Sequence, residues 1–270
     1  KSLIDNYMEL LHFTGQVWRP PYEASSQLLQ VTAGCTHNKC KFCSLYYGTK
    51  FRLSPIAEVE EDLKVIQDYQ PRARRVFLTG ANPFALSYNR LLDLGLLIRN
   101  YLRHCESIGM FARSSDIKPK TVEELKNLRH LGFDGISIGT ESGDDDTLAA
   151  MNKGYTANDI IEQCKKLEEA NIRYNLVYLT GLAGKGKGKR NAINTANVFN
   201  QLSPFTVNFV SLTVFSESEL YEEIQRGSFV EATEHDRLVE LRTFISRLHK
   251  NTTLLGYTVS KTVPFVGMIP

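Results

Sequence analysis

Short apolar runs alternate along the chain with longer stretches of helical periodicity. Each run is rich in β-branched or aliphatic residues and ends in a polar or glycine-containing stretch, which is typical of a strand followed by a loop. The runs that predict strands are residues 27–34, 75–81, 109–116, 135–142, 172–182 and 206–215. The alternation therefore predicts six consecutive strand–helix units.

Helix start signals stand between these runs. Ser54 followed by Pro55 fits the N-cap and the first helical position. Thr121 with Glu124 forms a capping box, and the stretch beginning at Thr156 has the same pattern. These signals predict helices in the gaps between the strands.

Consecutive strand–helix units predict a parallel sheet with right-handed crossovers. An eight-unit barrel takes about 250 residues, whereas the six units end by residue 215. We therefore predict an α/β fold, a partial (βα)6 TIM-like barrel with a short N-terminal helix and a C-terminal extension. The tail, residues 251–270, is expected to add a strand or to cross the bottom of the barrel.

We expect one domain over residues 1–270, because no Pro/Ser-rich linker divides the chain. The core is predicted at about 27–230, after an N-terminal helical extension (1–26) and before a C-terminal helix and tail (231–270). The first residue is not Met. We therefore expect the native chain to begin earlier, and its C-terminus to be trimmed after Pro270.

The composition describes an ordinary globular protein, with 42% hydrophobic and 23% charged residues. A formal net charge of +2 argues neither for nor against a nucleic-acid partner, so none is predicted. No apolar run is long enough to predict a membrane span. Five cysteines, an odd and sparse set, argue against a disulfide framework and favour a reducing, cytoplasmic setting.

Three of the five cysteines lie within nine positions, in the stretch VTAGCTHNKCKFCSLYYG. Cys35, Cys40 and Cys43 have the spacing C-x4-C-x2-C. With His37 they would complete the four ligands of a structural zinc site, but no second ligand pair follows downstream. An iron–sulfur cubane normally takes four thiolates, so three would leave one iron open to a ligand. Cys105 and Cys164 stand in predicted helices, as small buried hydrophobes.

Every predicted strand ends in polar or glycine-rich sequence. In barrels of this type the chemistry is found where the strands end. The stretches concerned are CTHNKCKFC, TGANP, RSSD, TESGDD, TGLAGKGKGKR and FSESE. They predict one large polar site at one end of the barrel.

With these features the chain, from about residue 27 to 230, resembles the radical S-adenosylmethionine (SAM) superfamily. The usual cysteine spacing there is three residues, then two, with an aromatic before the third cysteine. Phe42 occupies the aromatic position, and the first gap is one residue longer than usual. The segment 138–156 resembles one shared by oxygen-independent coproporphyrinogen oxidases, methylthiotransferases and the Elongator catalytic subunit.

The resemblance implies a set of cofactor-binding residues. TGANP resembles the glycine-rich loop that meets the methionine amino group of SAM, with Ala81 and Asn82 replacing the usual residues. By resemblance Glu141 points into the SAM site and Lys153 meets the SAM carboxylate. The implied SAM-binding residues are Phe42, Gly80, Ala81, Asn82, Pro83, Arg113, Ser114, Asp116, Glu141 and Lys153, of which Ser114 and Asp116 are placed near the ribose; the implied cluster ligands are Cys35, Cys40 and Cys43.

The chemistry implied by the resemblance is reductive cleavage of SAM at a [4Fe–4S] cluster. The resulting 5′-deoxyadenosyl radical would remove a hydrogen atom from a substrate, which we expect to be a small molecule. A one-electron donor such as flavodoxin or ferredoxin is implied as a partner. Two alternatives stay open: a zinc-stabilised binding or scaffold protein, and a barrel that binds cluster and SAM without radical turnover.

The run GLAGKGKGKR at 181–190 has part of a phosphate-loop pattern. Gly188 stands where a Ser or Thr would be needed to hold magnesium, so we reject a nucleotide triphosphate site there. Its basic residues would either contact an anionic substrate at the barrel mouth or lie on a solvated loop.

Overall fold

A computed structural model describes residues 7–256 and 266–269. The chain folds into an open, mostly parallel sheet of eight strands covered by helices. In chain order the strands are β1 (Gln27–Gln30), β2 (Thr32–Ala33), β3 (Arg52–Leu53), β4 (Arg75–Thr79), β5 (Ser107–Ala112), β6 (Phe133–Glu141), β7 (Tyr174–Thr180), β8 (Thr206–Ser211), β9 (Thr252–Leu255) and β10 (Val266–Ile269). The main sheet runs β1-β4-β5-β6-β7-β8-β9-β10, and β2 pairs with β3 in a small separate ribbon.

The helices connect the strands as the sequence periodicity predicts. They are α1 (Ile56–Tyr69), α2 (Tyr88–Tyr101), α3 (Ser114–Ile117), α4 (Val122–His130), α5 (Asp145–Ala150), α6 (Ala157–Glu169), α7 (Gly188–Phe199), α8 (Glu219–Gln225) and α9 (Glu234–Arg247). Short 3-10 turns lie at Pro21–Glu23 and Pro83–Ala85. The α/β partial TIM-like barrel is thus confirmed.

All six predicted strands are present and pair in parallel. All six end earlier than predicted: three of them by one or two residues, and the runs 27–34, 109–116 and 206–215 by four. The run 27–34 divides into β1 and β2, and β2 turns away to pair antiparallel with β3. The run 109–116 is strand only to Ala112, because Asp116 accepts the backbone N–H of Arg113 and so begins the short helix α3.

The two predicted capping boxes, at Thr121 and Thr156, are confirmed at the starts of α4 and α6. The prediction for α1 was wrong by one residue. Pro55 is the N-cap, and the buried Ser54 hydroxyl makes no hydrogen bond within the described chain. Cys164 lies in a helix as expected, whereas Cys105 lies in the connection before β5, its thiol donating to the Ser107 carbonyl.

The C-terminal tail adds strands to the sheet. Strand β9 pairs in parallel with β8, and β10 pairs antiparallel with β9. The N-terminal helical extension was expected over 1–26. Residues 1–6 lie outside the described residues, and the helical structure described in 7–26 is the 3-10 turn Pro21–Glu23 and one turn at 7–8. The extension reaches inside the barrel, where the buried Glu23 carboxylate lies 2.5 Å from the Arg75 guanidinium. The Tyr22 and Ser137 hydroxyls are 2.6 Å apart, so the extension packs against the inner face of the sheet.

Candidate functional site

Three cysteine side chains line one pocket where the parallel strands end. Cys35, Cys40 and Cys43 come from the loop after β2, and the loop after β4 together with strands β5, β6 and β7 contributes to the same wall. The pocket is lined by Trp18, Cys35, Asn38, Cys40, Phe42, Cys43, Leu45, Tyr46, Ala81, Phe111, Ala112, Arg113, Gly139, Glu141, Lys153 and Val177. The structure therefore brings the cysteine loop together with several of the predicted cofactor-binding residues.

Glycine 34 allows the chain to turn into the cysteine loop. Its φ is +72°, and a Cβ there would lie 2.9 Å from the backbone of Lys50. Only glycine meets both demands without strain. The second half of the loop is tightened by the backbone N–H of Cys43, which donates to the Cys40 carbonyl at 3.1 Å.

Neighbouring elements hold the loop from outside. The backbone N–H of Lys41 donates to the Met151 carbonyl, and the Lys41 carbonyl accepts from Leu220. The Lys41 ammonium lies 2.5 Å from the carboxylate of Glu223. The cysteine spacing alone gave no signal of these contacts, which join three distant parts of the chain.

Two of the thiols lie in surroundings that disfavour the thiolate. Burial raises the pKa of Cys40, although the Lys153 and Arg113 charges oppose the rise. Cys43 is exposed over part of its surface, yet desolvation around its sulfur raises its pKa to about 11. Metals bind thiolates, so loading this loop with a metal or cluster must release protons.

The geometry does not support the zinc alternative. In residues 7–256 and 266–269, no three His, Cys, Asp or Glu side chains converge as the ligands of a single ion. His37, the proposed fourth ligand, is engaged elsewhere, with Nε2 2.7 Å from the Asn152 carbonyl. In a cubane each thiolate binds its own iron, so the three sulfurs need not meet at one point.

A buried ion pair forms the back wall of the pocket. Lys153 is 3% exposed; its ammonium donates to the Gly139 carbonyl at 2.8 Å and lies 3.7 Å from Glu141 Oε1. Burial alone would lower the pKa of Lys153, but Tyr155 and Glu141 raise it above its ordinary value. Burial raises the pKa of Glu141, and the Lys153 ammonium opposes that rise. Glu141 has a φ of 63°, an unusual value for glutamate.

Aromatic rings surround this ammonium. It lies 5.6 Å from the centroid of Phe42 and 5.3 Å from that of Tyr155, within the range of a cation–π contact. The Tyr155 hydroxyl donates to Gly139 as well, at 2.6 Å. Tyr155 was missed by the sequence analysis, although it stands two residues after Lys153.

Arg113 is fixed beside the ion pair. Its guanidinium donates to the Lys153 carbonyl and lies 5.4 Å from the Tyr155 ring centroid. Its Nε is buried and has no hydrogen-bond partner within the described part of the chain. The pocket therefore has two cations, Arg113 and Lys153, at one wall, and the Arg113 Nε–H is a hydrogen-bond donor still free to bind a ligand.

The glycine-rich loop after β4 lies behind the pocket. Ala81 lines the wall, while the Asn82 amide donates to Thr36 at 2.6 Å and to Asp116 at 3.0 Å. Asn82 also accepts the Thr36 backbone N–H at 3.2 Å. Asn82 thus joins the cysteine loop to the start of α3. The sequence analysis expected it to bind SAM and did not predict this structural role.

The predicted SAM contacts divide into two groups. Those on the pocket wall are Phe42, Ala81, Arg113, Glu141 and Lys153. Those away from the wall are Gly80, Asn82, Pro83, Ser114 and Asp116. Ser114 is fully buried, and its hydroxyl has no partner among the described residues. Half of the residues marked by the resemblance thus line the pocket and half lie behind its wall; that they bind SAM stays a prediction.

Other pocket residues carried little or no sequence signal. Trp18 reaches the wall from the N-terminal extension, and its indole N–H donates to the Leu45 carbonyl at 3.4 Å. Tyr46 is buried and lines the pocket, whereas Tyr47 is 70% exposed. The sequence alone could not divide the roles of these two tyrosines.

The basic run at 181–190 is not part of this wall. Arg190 lies 3.0 Å from Asp144 and 2.8 Å from Asp146, so these two carboxylates neutralise its positive charge. The backbone N–H of Gly181 donates to the buried carboxylate of Glu240 at 2.8 Å. Helix α7 begins at Gly188 with no side-chain cap; the rejection of a phosphate loop, which rests on Gly188 itself, stays a prediction.

Comparisons with known proteins bear on the fold and the family of the chain. The chain is 26% identical to the heme chaperone HemW of Bacillus subtilis over 162 residues, which cover 58% of this chain and 41% of the relative. Among solved structures, the radical SAM methyltransferase TsrM of Kitasatospora setae superposes with a TM-score of 0.61 at 19% identity, covering 75% of this chain and 39% of that one. Coproporphyrinogen III oxidase (HemN) of Escherichia coli gives a TM-score of 0.61 at 15% identity, covering 82% and 51%.

The chain thus spans about two fifths of the length of HemW and of TsrM, and the structural likenesses show the shared fold. No helix among the described residues is long and apolar enough to cross a membrane. The family model of the radical SAM superfamily matches residues 29–196, which include the cysteine loop and the pocket wall as far as Val177. This chain belongs to the radical SAM superfamily, whose cofactors are a [4Fe–4S] cluster and SAM.

Proposed function

We propose that the chain is a radical SAM enzyme in which Cys35, Cys40 and Cys43 bind three irons of the cluster. The observation that carries the proposal is the shared pocket: the three thiols face the same cavity as Arg113, Glu141 and Lys153. Soft thiolate ligands suit iron–sulfur clusters. Three of them leave the fourth iron for SAM.

The cationic wall suits the amino-acid end of SAM. A carboxylate is stabilised by nearby guanidinium and ammonium groups, and Arg113 Nε is a buried donor without a partner in the described chain. Gly139 also lines the pocket, and a Cβ there would lie 2.8 Å from Glu141 Oε1. Glycine therefore keeps that part of the wall open for a ligand. Because Arg113 and Lys153 are the two cations at this wall, we assign them to the SAM carboxylate.

Glu141 is assigned a positioning role. Its carboxylate compensates the Lys153 ammonium and so helps to hold that charge at the pocket wall. The buried residues behind the wall, Asn82 and Asp116, are proposed to hold the glycine-rich loop against the cysteine loop. Asn82 and Asp116 would thus keep the site in shape without touching SAM themselves.

When bound, the cluster and SAM supply a one-electron reductive cleavage that yields a 5′-deoxyadenosyl radical. The protein must keep water and other hydrogen donors away from that radical. The remaining walls suit this task, because they are built from apolar and aromatic side chains: Trp18, Phe42, Leu45, Tyr46, Phe111 and Val177. We propose a small-molecule substrate whose hydrogen atom is abstracted there, a one-electron donor protein such as flavodoxin or ferredoxin, and a single domain with its core at about 27–230.

Cluster assembly in cysteine variants tests the proposal. The purified protein is loaded anaerobically with iron and sulfide, and iron content and visible absorption are measured. We expect about four irons per chain in the unsubstituted protein and loss of the cluster in Cys35→Ala, Cys40→Ala and Cys43→Ala. Cys105→Ala is the matched control, because that thiol is buried away from the loop. Equal loading of all four variants, or stoichiometric zinc, would reject the assignment.

A further inference from the structure

A basic concavity lies at the edge of the sheet opposite to the cysteine-lined pocket. It has a volume of 630 Å³, and its lining includes Arg72, Arg74, Arg99, Arg103, His104 and Glu106. These residues come from the end of α2 and from the connections that lead into β4 and β5. The cysteines lie where the strands end, whereas the concavity lies where they begin, so a ligand bound there would take no part in chemistry at the cysteines.

The positive charge of the concavity is largely uncompensated. Glu106 is its single carboxylate and pairs with Arg74, at 2.6 Å. The Arg99 guanidinium donates to the Cys105 carbonyl, a neutral partner. Arg72 and Arg103 are exposed, and within the part of the chain that the structure describes their side chains have neither a hydrogen bond nor an ion pair. Four arginines and one glutamate give a formal charge of +3, to which a protonated His104 would add.

The ends of two helices account for only part of this charge. Helices α1 and α2 end at Tyr69 and Tyr101, shortly before Arg72 and Arg103 in the sequence. The C-terminus of a helix carries a partial charge of roughly −0.5 and therefore favours basic residues nearby. The two helix ends together offset roughly one positive charge, so a surplus of roughly two positive charges is left for an anion.

We propose that this concavity binds a small ligand that carries a diphosphate or triphosphate group. A guanidinium donates two parallel hydrogen bonds to a phosphate, which is why arginine rather than lysine suits phosphate recognition of this kind. The surplus charge matches a ligand with two or more negative charges, and the volume is that of a site for a nucleotide-sized molecule. The inference is independent of the proposed function, because it concerns a different surface.

The charge of the whole chain favours a small ligand over a nucleic acid. The concavity contributes a formal charge of +3 to a chain whose net charge is +2, so the remainder of the chain is not positive on balance. A nucleic acid that extended beyond the concavity would therefore gain little from the rest of the surface, since its affinity depends on the number of phosphates that basic residues neutralise.

Isothermal titration calorimetry of the cluster-loaded protein with inorganic tripolyphosphate tests the proposal. The expected result is one ligand bound per chain, with an affinity that falls as the salt concentration rises. Arg72→Glu/Arg103→Glu should weaken binding about tenfold or more. The two substitutions break no ion pair of the described chain, so urea denaturation should show the stability of the unsubstituted protein.

Lys185→Glu/Lys187→Glu is the matched control. It makes the same change of charge at two exposed lysines that follow the end of β7, at the other edge of the sheet, and it should change the Kd less than about twofold. Arg113 and Lys153 of the cysteine-lined pocket are intact in both variants, so binding at that pocket would survive the substitution of Arg72 and Arg103. Equal weakening in the two variants, or unchanged binding in Arg72→Glu/Arg103→Glu, would overturn the proposal.

Two further titrations identify the source of the phosphate. ATP that binds as tightly as tripolyphosphate, with the same loss in Arg72→Glu/Arg103→Glu, would identify a nucleotide, and binding of tripolyphosphate without ATP would identify an inorganic polyphosphate. A single-stranded RNA oligonucleotide is expected to bind more weakly than tripolyphosphate. RNA that binds about tenfold more tightly than tripolyphosphate would overturn the proposal in favour of a nucleic-acid surface, and so would the absence of binding by both phosphate compounds.

Discussion

Lys153 Nζ lies 3.7 Å from Glu141 Oε1, and both side chains are largely withdrawn from solvent. Removing one partner of such a pair leaves the other charge buried and uncompensated. Lys153→Met should therefore lower the free energy of unfolding of the cluster-free protein by about 3 kcal/mol, measured by urea denaturation. Lys153→Met/Glu141→Gln should recover part of that loss. Strict additivity of the two single substitutions would show that the pair is not coupled.

Gly80 is expected to tolerate no side chain. Its φ is +129°, and a Cβ would lie 2.0 Å from Thr32 Oγ1 and 2.8 Å from the Thr32 carbonyl oxygen. Gly80→Ala should destabilise the protein by about 3 kcal/mol or more and weaken SAM binding, since the loop it begins carries Ala81.

Gly186→Ala is the matched control for that substitution. Gly186 also has a positive φ, +77°, but nothing lies within 4 Å of a Cβ built there. Gly186→Ala should therefore lower the free energy of unfolding only by the cost of placing alanine at a positive φ, about 1 kcal/mol. Urea denaturation of both variants separates steric from conformational cost, and equal effects would argue against the close approach at Thr32.

The buried Lys120 predicts a pH dependence of stability. Its ammonium donates to the carbonyls of Phe84 at 2.7 Å and Asp116 at 2.9 Å, and burial lowers its pKa to about 8. The unfolded chain keeps the ordinary lysine pKa of about 10.4. Between these two values the unfolded state binds more protons, so this group makes the folded state more stable as the pH rises.

The comparison with Lys120→Met isolates that contribution. From pH 8 to pH 10 the free energy of unfolding of the unsubstituted protein should rise relative to that of the variant, by about 2 kcal/mol. Tyrosines and thiols that titrate in the same range are common to both proteins and cancel. A pH-independent difference would mean that Lys120 keeps its ordinary pKa in the fold.

Trp18 is the only tryptophan in the chain, so tryptophan fluorescence reports on one wall of the pocket. Loading the cluster beside it should quench the emission strongly, because iron–sulfur clusters absorb in the emission range. SAM should then shift the remaining emission. Trp18→Phe gives the background signal. Unchanged emission after loading would place the cluster away from this pocket.

The sequence was sufficient to locate the predicted strands of the sheet but not the residues at which the strands and helices end. Apolar runs located all six predicted strands, since burial on both faces leaves a strong pattern. The end of β5 was misplaced because the Asp116 carboxylate accepts the backbone N–H of Arg113 and so begins the next helix. The pattern of apolar residues does not record such a hydrogen bond. The Ser54 cap failed for a related reason: Pro55 took the N-cap position itself.

The site shows the same division. Cysteine spacing marked the loop, and the resemblance marked Glu141 and Lys153, which the structure places together. Trp18 could not have been predicted, because it comes from an extension 17 residues before Cys35 in sequence and reaches the wall only through the fold. Asn82 and Asp116 were expected to touch SAM, but their mutual hydrogen bond behind the wall depends on two strands meeting in space.

We propose that this pocket cleaves SAM, and formation of 5′-deoxyadenosine is the measurement that decides it. The cluster-loaded protein is mixed anaerobically with SAM and dithionite, without substrate, and the product is measured by mass spectrometry. We expect 5′-deoxyadenosine to form, to be lost in the Cys35→Ala, Cys40→Ala and Cys43→Ala variants, and to persist in Cys105→Ala. A fully loaded protein that binds SAM and gives no 5′-deoxyadenosine would rule out SAM cleavage here and favour a barrel that binds both cofactors without radical turnover.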